Sequence, residues 1–333
     1  FSVSGQAALT KTSISSSSMR NVVIERDFRI QDLVISGTSM VSLALKGSNL
    51  FHGIQISGSQ LNATRIDAAT LVRIINLKSS AVYGMEFQSS VTFEALRMKQ
   101  STLKELRFHD NAAFLALEMK SSQMSGVEFK KELYAPSAKI VKSQLQGIEV
   151  LECVNLSYGS LSSTTVSGMH AWKGIDLRGS TLKKVTISDS EFLGADIIAS
   201  KAVMKSVKLL NIKTSATHSI NFKDSILEKL VVSDSKLSSD LNFLRSKLRN
   251  VEFRNIVFED DVDFEDAKLN SVEFVNVSFM KSAKFDNAVV ESCKFVNVTF
   301  TKPVKSRRAQ VSEDTIFEQC VFPQGTSFLS YKY

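Results

Sequence analysis

One spacing limits what this chain can fold into: a large aliphatic residue, an apolar residue three later, and another two after that. The pattern starts at Met19, Met40, Leu61, Val82, Leu103, Met124, Leu145 and Val166, each 21 residues after the one before. Six further starts stand at Leu182, Met204, Leu227, Leu248, Leu269 and Val290. Self-similarity at a fixed period of this length specifies a solenoid, because one unit has no way to bury its apolar side alone and must stack on its neighbours.

The clearest stretch shows how one turn is built. Its anchors are Phe253, Phe258, Phe264 and Leu269, followed by Phe274, Phe279, Phe285 and Val290, in steps of five, six, five and five residues. Two residues before the anchors sit Val251, Ile256, Val262 and Ala267, so each side reads inward, outward, inward, the period of a short strand. Before the large aliphatic residue, this second position is small throughout: Ser17, Thr38, Ser59, Ser80, Ser101, Ser122, Ser143, Thr164, Ser180, Ala202, Ser225, Ser246, Ala267 and Ala288. A small residue recurring there implies a tight backbone corner. The expected fold class is all-β, a parallel β-helix solenoid of about 14 turns with four sides.

Four short sides per turn, with a small residue two before a Leu or Phe anchor, resembles the pentapeptide-repeat family over roughly Ser17 to Phe328. That resemblance implies a right-handed four-sided β-helix. Two departures stand out. One side per turn carries six residues, and the Asp or Asn that the family often places before the anchor is replaced, as at Ser18, Gln60, Ala81 and Thr102. The alternative is a leucine-rich-repeat solenoid, since Leu103, Leu106, Phe108, Asn111 and Ala113 fit the start of its motif. Its asparagine ladder fails elsewhere, at Ser48, Ala69, Ser90, Cys153, Ser190, Ser235, Ile256 and Val277. Helical repeats are disfavoured, because apolar spacings of two and five rich in Val, Ile and Phe make no helical face.

The expected organisation is an N-terminal cap at 1–18, a solenoid at 19–322 with an irregular region at 153–222, and a C-terminal cap at 323–333. The irregularity is the step from Val166 to Leu182, 16 residues, which reads as a turn that has lost one five-residue side. The next steps are 22 and 23, with extra residues near Asn211 to His218 bulging outward. Tyr158, His170, Trp172 and His218 gather around this stretch, and interfaces are enriched in Trp and Tyr, so they form a candidate interaction surface. The competing role for Trp172 is to fill the gap left by the missing side. A dense basic segment containing Lys302, Lys305, Arg307 and Arg308 completes the candidate surface, although it lacks interleaved aromatics to stack bases.

Charge narrows the partners. With 41 Lys and Arg against 34 Asp and Glu the chain is formally +7, which excludes imitation of DNA, a role some pentapeptide-repeat proteins play with an acidic surface. A basic balance admits an anionic surface of some kind. No apolar run is long enough for a bilayer, so an integral membrane protein is not expected.

Outward positions align in charged columns. One runs Glu86, Arg107, Glu128, Glu149, then Glu252, Glu273 and Lys294; another runs Arg97, Glu118, Lys139, then Asp176, Asp196, Asp263 and Lys284. Opposite charges at one-turn spacing keep a face wet. The like-charged neighbours Glu128 with Glu149 and Glu252 with Glu273 open a second reading, a carboxylate pair of a polysaccharide-processing enzyme. Against it, His52, His109, His170 and His218 share no column with them. The acidic cluster Glu259, Asp260, Asp261, Asp263, Glu265 and Asp266 lacks a calcium loop's glycine. Cys153, Cys293 and Cys320 are too few for a disulfide framework or metal site, and Cys293 falls on a core position. Phosphate loops, GxSxG and HExxH are missing, so no catalytic, metal or cofactor residues are assigned. Sequons stand at Asn62, Asn155, Asn276 and Asn297.

The sequence therefore favours a non-enzymatic protein-binding or scaffold solenoid. The resemblance implies a secreted, effector or cell-surface setting. The alternatives are a polysaccharide-processing enzyme and an electrostatic binder of anionic surfaces.

Overall fold

A computed structural model describes residues 2–4, 7–25, 28–47, 50–66, 71–88, 90–192, 196–215 and 219–326. Two compact units divide the chain: Phe1–Leu156 with Ser163–Thr165, and Ser157–Ser162 with Val166–Tyr333. Each is a parallel β-solenoid, with about 14 turns in all and no helix among the described residues.

A circuit of the first unit shows why these residues coil. Leu117–Lys120 alternates Leu117 and Met119 inward with Glu118 and Lys120 outward, and lies on the first face. Gln123–Phe129 follows on a bent face that covers two sides, turning at Gly126 with φ 60°. Leu133–Tyr134 makes a short face, and Lys139–Val141 returns to the first. Met119, Met124, Phe129 and Ala135 are the four buried anchors. The strand alternation buries one side of every rung, and the parallel ladder to the next rung satisfies its backbone.

Leu103 pairs with Met124, and Met124 with Leu145, so residues one period apart stand directly over one another. The 16-residue step has a different cause from the one expected. Leu182 pairs with Leu161, 21 residues back, on the first face, and Met204, Leu227, Leu248, Leu269 and Val290 continue that column. No side is lost: the fourteen starts are two columns on neighbouring sides. In the second unit the bent-face column is Ile187, Leu209, Val232, Phe253, Phe274 and Phe295. Asn211, expected in a bulge, lies in the ladder strand Lys208–Thr214, whereas residues 216–218 lie outside the described residues.

The small residues likewise belong to two corners. In the first unit Thr38, Ser59, Ser80, Ser101, Ser122 and Ser143 each follow a left-handed residue, from Gly37 to Lys142. The N–H groups of Thr38, Ser59, Ser80, Ser101 and Ser122 donate to the hydroxyl one rung on, at 3.1–3.4 Å. Each of these hydroxyls donates in turn to the carbonyl two residues back, as Ser101 does to Lys99 at 2.9 Å. A buried serine ladder thus satisfies the corner's backbone. In the second unit that position holds Val185, Val207, Leu230, Val251, Val272 and the buried Cys293, whose Sγ donates to the Glu291 carbonyl at 3.2 Å. Burial pushes its thiol up to about 11. Ser180, Ala202, Ser225, Ser246, Ala267 and Ala288 instead close the turn from the short face to the first face.

Aromatic anchors stack at the strand spacing. Phe108 lies between Phe87 and Phe129 at 4.9 and 4.7 Å, and Phe274 between Phe253 and Phe295 at 5.1 and 4.8 Å. On the outer corner of the bent face, Asn297 donates to Asn276 at 3.0 Å, Asn276 to Asn255 at 2.9 Å, and Asn255 to Asp234 at 2.8 Å. Two sequon nitrogens, of Asn276 and Asn297, are therefore spent on this ladder. At the N-terminal end, Ser2–Ser4 and Ala7–Ser15 are parallel ladder strands paired with residues 23–25 and Phe28–Ser36. At the other end, residues 327–333 lie outside the described residues. No helix among the described residues is long and apolar enough to cross a membrane.

Candidate interaction surface

Tyr158 stands on the corner from the short face to the first face, in the left-handed region with φ 56°. Its N–H donates to the Arg178 carbonyl at 2.7 Å, and its ring lies over Gly179, the residue one rung on. A Cβ at Gly179 would sit 2.8 Å from two ring carbons, so the ring lies flat because that position is glycine. Asp176, 5% exposed, fixes the same rung by accepting from the Arg178 N–H at 2.9 Å and from its guanidinium at 2.6–3.0 Å. The same turn recurs where Asn221, Asn242 and Asp263 accept from the N–H two residues later. Asp176 and Asp263 are thus turn-forming residues of the short face and do not continue the Arg97, Glu118 and Lys139 column of the first face; the register partner of Asp176 is Ile198, not Asp196. The sequence reading missed Arg178 and Gly179, although Asp-x-Arg-Gly before the small Ser180 is a turn signal.

Trp172 occupies the turn that enters the short-face strand Ile175–Asp176, next to Gly174 with φ 86°. It is 49% exposed and Tyr158 is 71% exposed. Trp172 leads into the rung that Gly179, under the Tyr158 ring, leaves. His170 is on the bent face with Nδ1 3.4 Å from Glu191, whose carboxyl is held low first by Lys213 at 2.9 Å and then by His170. His218 lies outside the described residues.

The basic segment is elsewhere in the second unit. Tyr158 rests on Gly179, whereas Arg308 continues the same corner column seven rungs from Tyr158, roughly 34 Å at a strand spacing of about 4.8 Å. Lys302, Lys305 and Arg307 line a depression with Asp286 and Ser282. The Arg307 N–H donates to Asp286 at 2.6 Å. The aromatic and basic groups named from the sequence are not one site.

The proposed carboxylate pairs are register neighbours, Glu128 with Glu149 and Glu252 with Glu273. Cations engage them: Glu128 pairs with Arg107 and Lys130, Glu252 with Arg254, and Glu273 with Lys294 at 3.8 Å. Among the described residues no group of three or more His, Cys, Asp or Glu is gathered for a metal ion.

Beside the acidic cluster, Asp240 accepts from the Asp261 N–H at 3.2 Å and neighbours Asp260. Partial burial and the Asp260 charge raise the Asp240 carboxyl, while Lys281, 2.7 Å away, holds Asp260 low. A carboxyl raised in the folded state contributes stability below its unfolded range and loses it as pH rises through the folded value. Asp240→Asn is therefore expected to stabilise the protein at neutral pH and to leave it unchanged near pH ~3, below the ordinary carboxylate range. Thermal melts at the two pH values check this, and equal effects at both would contradict it.

No family model matches the chain, and no curated protein matches it. Among solved structures it is similar to HetL, a pentapeptide repeat protein involved in heterocyst differentiation regulation in the cyanobacterium Nostoc sp. strain PCC 7120. That match has 14% identity, covers 67% of this chain and 90% of HetL, and has a TM-score of 0.29. It is similar to full-length QnrB1, a plasmid-mediated fluoroquinolone resistance protein, at 16% identity over 55% of this chain and 85% of that one, TM-score 0.27. A mutant tailspike protein of E. coli bacteriophage HK620 matches at 10% identity over 90% and 71%, TM-score 0.45. These are likenesses of fold, and the β-solenoid assignment rests on this chain's own ladders.

Proposed function

We propose that this chain is a non-enzymatic binding or scaffold solenoid that presents Tyr158 and Trp172 to a protein partner. The supporting observation is that two large rings stand exposed on adjoining rungs, Trp172 where the short face is entered and Tyr158 where it is left, on backbone fixed by the ladder and the Asp176–Arg178 turn. Rigid exposed Trp and Tyr are what the centre of an interface uses. A secreted, effector or cell-surface setting belongs to this reading through the resemblance of the sequence.

The test compares wild type with Tyr158→Ala/Trp172→Ala in affinity capture from the native source, with folding followed by circular dichroism. Loss of an interface anchor worth about 2 kcal/mol weakens binding roughly 30-fold, whereas surface truncation changes stability by about 0.5 kcal/mol or less. A variant that unfolds would assign Trp172 to packing, and a folded variant that keeps its partner would remove these rings from the interface. The electrostatic reading is favoured by a separate observation, a file of lysines on the first face with no ion-pair partner among the described residues.

A further inference from the structure

In both units some outward charges are neutralised one rung away. Lys46 meets Glu25, Arg73 meets Glu94, Arg107 meets Glu86 and Glu128, Arg245 meets Asp224, and Lys281 meets Asp260. On the first face of the first unit, cations instead follow one another. Lys78 is in register with Lys99, and Lys99 with Lys120, so three exposed ammonium groups stand in single file, roughly 4.8 Å per rung. Like charges directly opposite on neighbouring strands are destabilising. None of the three has an ion-pair partner among the described residues.

The surroundings reinforce the charge. Lys142 stands on the adjoining corner one rung beyond Lys120, and Lys139 on the same rung of the first face. Glu118 is the acid beside this file, and Arg97 holds it at 3.7 Å. Across the corner the outward residues are neutral: Ala81 beside Lys78, Thr102 beside Lys99 and Gln123 beside Lys120, with Gln144 one rung further, the last three able to hydrogen-bond. In the second unit, taken by itself, the same corner carries Lys183 in register with Lys205, with Lys184 on the corner residue, but Lys205 is held by Glu228 at 3.4 Å.

We propose that this corner of the first unit binds an acidic polysaccharide lying along the stacking direction, one anionic sugar per rung. A column of cations repeating at the strand spacing selects a linear ligand whose charges repeat at a similar step, and an extended polyuronate advances about one strand spacing per sugar. The neutral amides and hydroxyl beside the lysines suit sugar hydroxyls. Duplex DNA spaces its phosphates roughly 3.4 Å apart along a strand, out of step with the rungs. A single strand gains affinity from aromatic platforms, and Tyr83 near this corner has its ring covered by Lys104, 6.0 Å from the centroid. A lipid surface rewards a broad basic area, not a single file. This surface is separate from Tyr158 and Trp172 and does not depend on the protein-partner reading.

The test titrates the full chain with labelled oligogalacturonate, with neutral dextran, single-stranded DNA and phosphatidylserine vesicles alongside. Lys78→Gln/Lys99→Gln/Lys120→Gln is compared with Lys236→Gln/Lys281→Gln/Lys294→Gln, which removes the same charge from ion-paired lysines. The first variant is expected to bind oligogalacturonate about tenfold more weakly with a shallower salt dependence, and the second to stay close to wild type. The first variant should also be at least as stable as wild type, having shed stacked like charges. Absence of wild-type binding, equal loss in both variants, tighter binding of DNA or vesicles, or a destabilised first variant would each overturn the proposal.

Discussion

Alanine at Phe108 is expected to lower stability by about 3–5 kcal/mol, the range for deleting a fully buried ring. Phe108 is 1% exposed, stacked between Phe87 and Phe129 and edge-on to Phe114 at 5.9 Å. Its neighbours have little freedom to close the gap, because parallel ladders fix the backbones of the rungs on both sides. Cavities that do not collapse give the high end of the range. Phe317, half-buried and stacked on Phe295 at 4.8 Å, is expected to lose less on the same change. Urea midpoints of the two variants check this ordering. Equal losses would mean that a fully buried ring stacked on both faces contributes no more than a half-buried one.

The second large effect is expected at Ser101, whose hydroxyl accepts from the Ser80 N–H at 3.3 Å and donates to the Lys99 carbonyl. Alanine leaves a buried N–H without its acceptor, which costs about 1–3 kcal/mol. Ser101→Cys is expected to recover part of this, since Cys293 holds the same corner position and its sulfur bonds the same backbone groups. Denaturant unfolding of wild type, S101A and S101C gives the comparison. If S101A matched wild type, the hydroxyl column would be a consequence of size alone.

The period, the inward columns and the four sides were all legible, because the anchors are large and repeat without error over Leu103, Met124 and Leu145. What failed was the assignment of anchors to sides. Leu161 and Val166 stand five residues apart on neighbouring sides, both aliphatic, and a period alone does not distinguish them. Only the pairing of Leu161 with Leu182 shows which column continues. The small-residue column split for the same reason. Corners were harder still: Gln100, Glu105, Lys142 and Tyr158 all take left-handed backbone, and none advertises a turn as glycine does. Of the candidate surface, Trp172 and Tyr158 were visible by type, but their separation from Lys302 and Arg308 depended on counting rungs. The file of Lys78, Lys99 and Lys120 was present in the spacing, yet its significance came from the register that stacks the three and from the lack of an ion-pair partner among the described residues.

Because every rung offers its successor an equivalent edge, chain length is a quantised variable here. Duplicating or deleting a whole 21-residue unit would leave each anchor over its counterpart, whereas a change of five residues would rotate everything downstream by one side. The 22- and 23-residue spacings between Leu182, Met204 and Leu227 leave the first-face pairing intact, so one or two surplus residues are absorbed locally and never reach the next circuit.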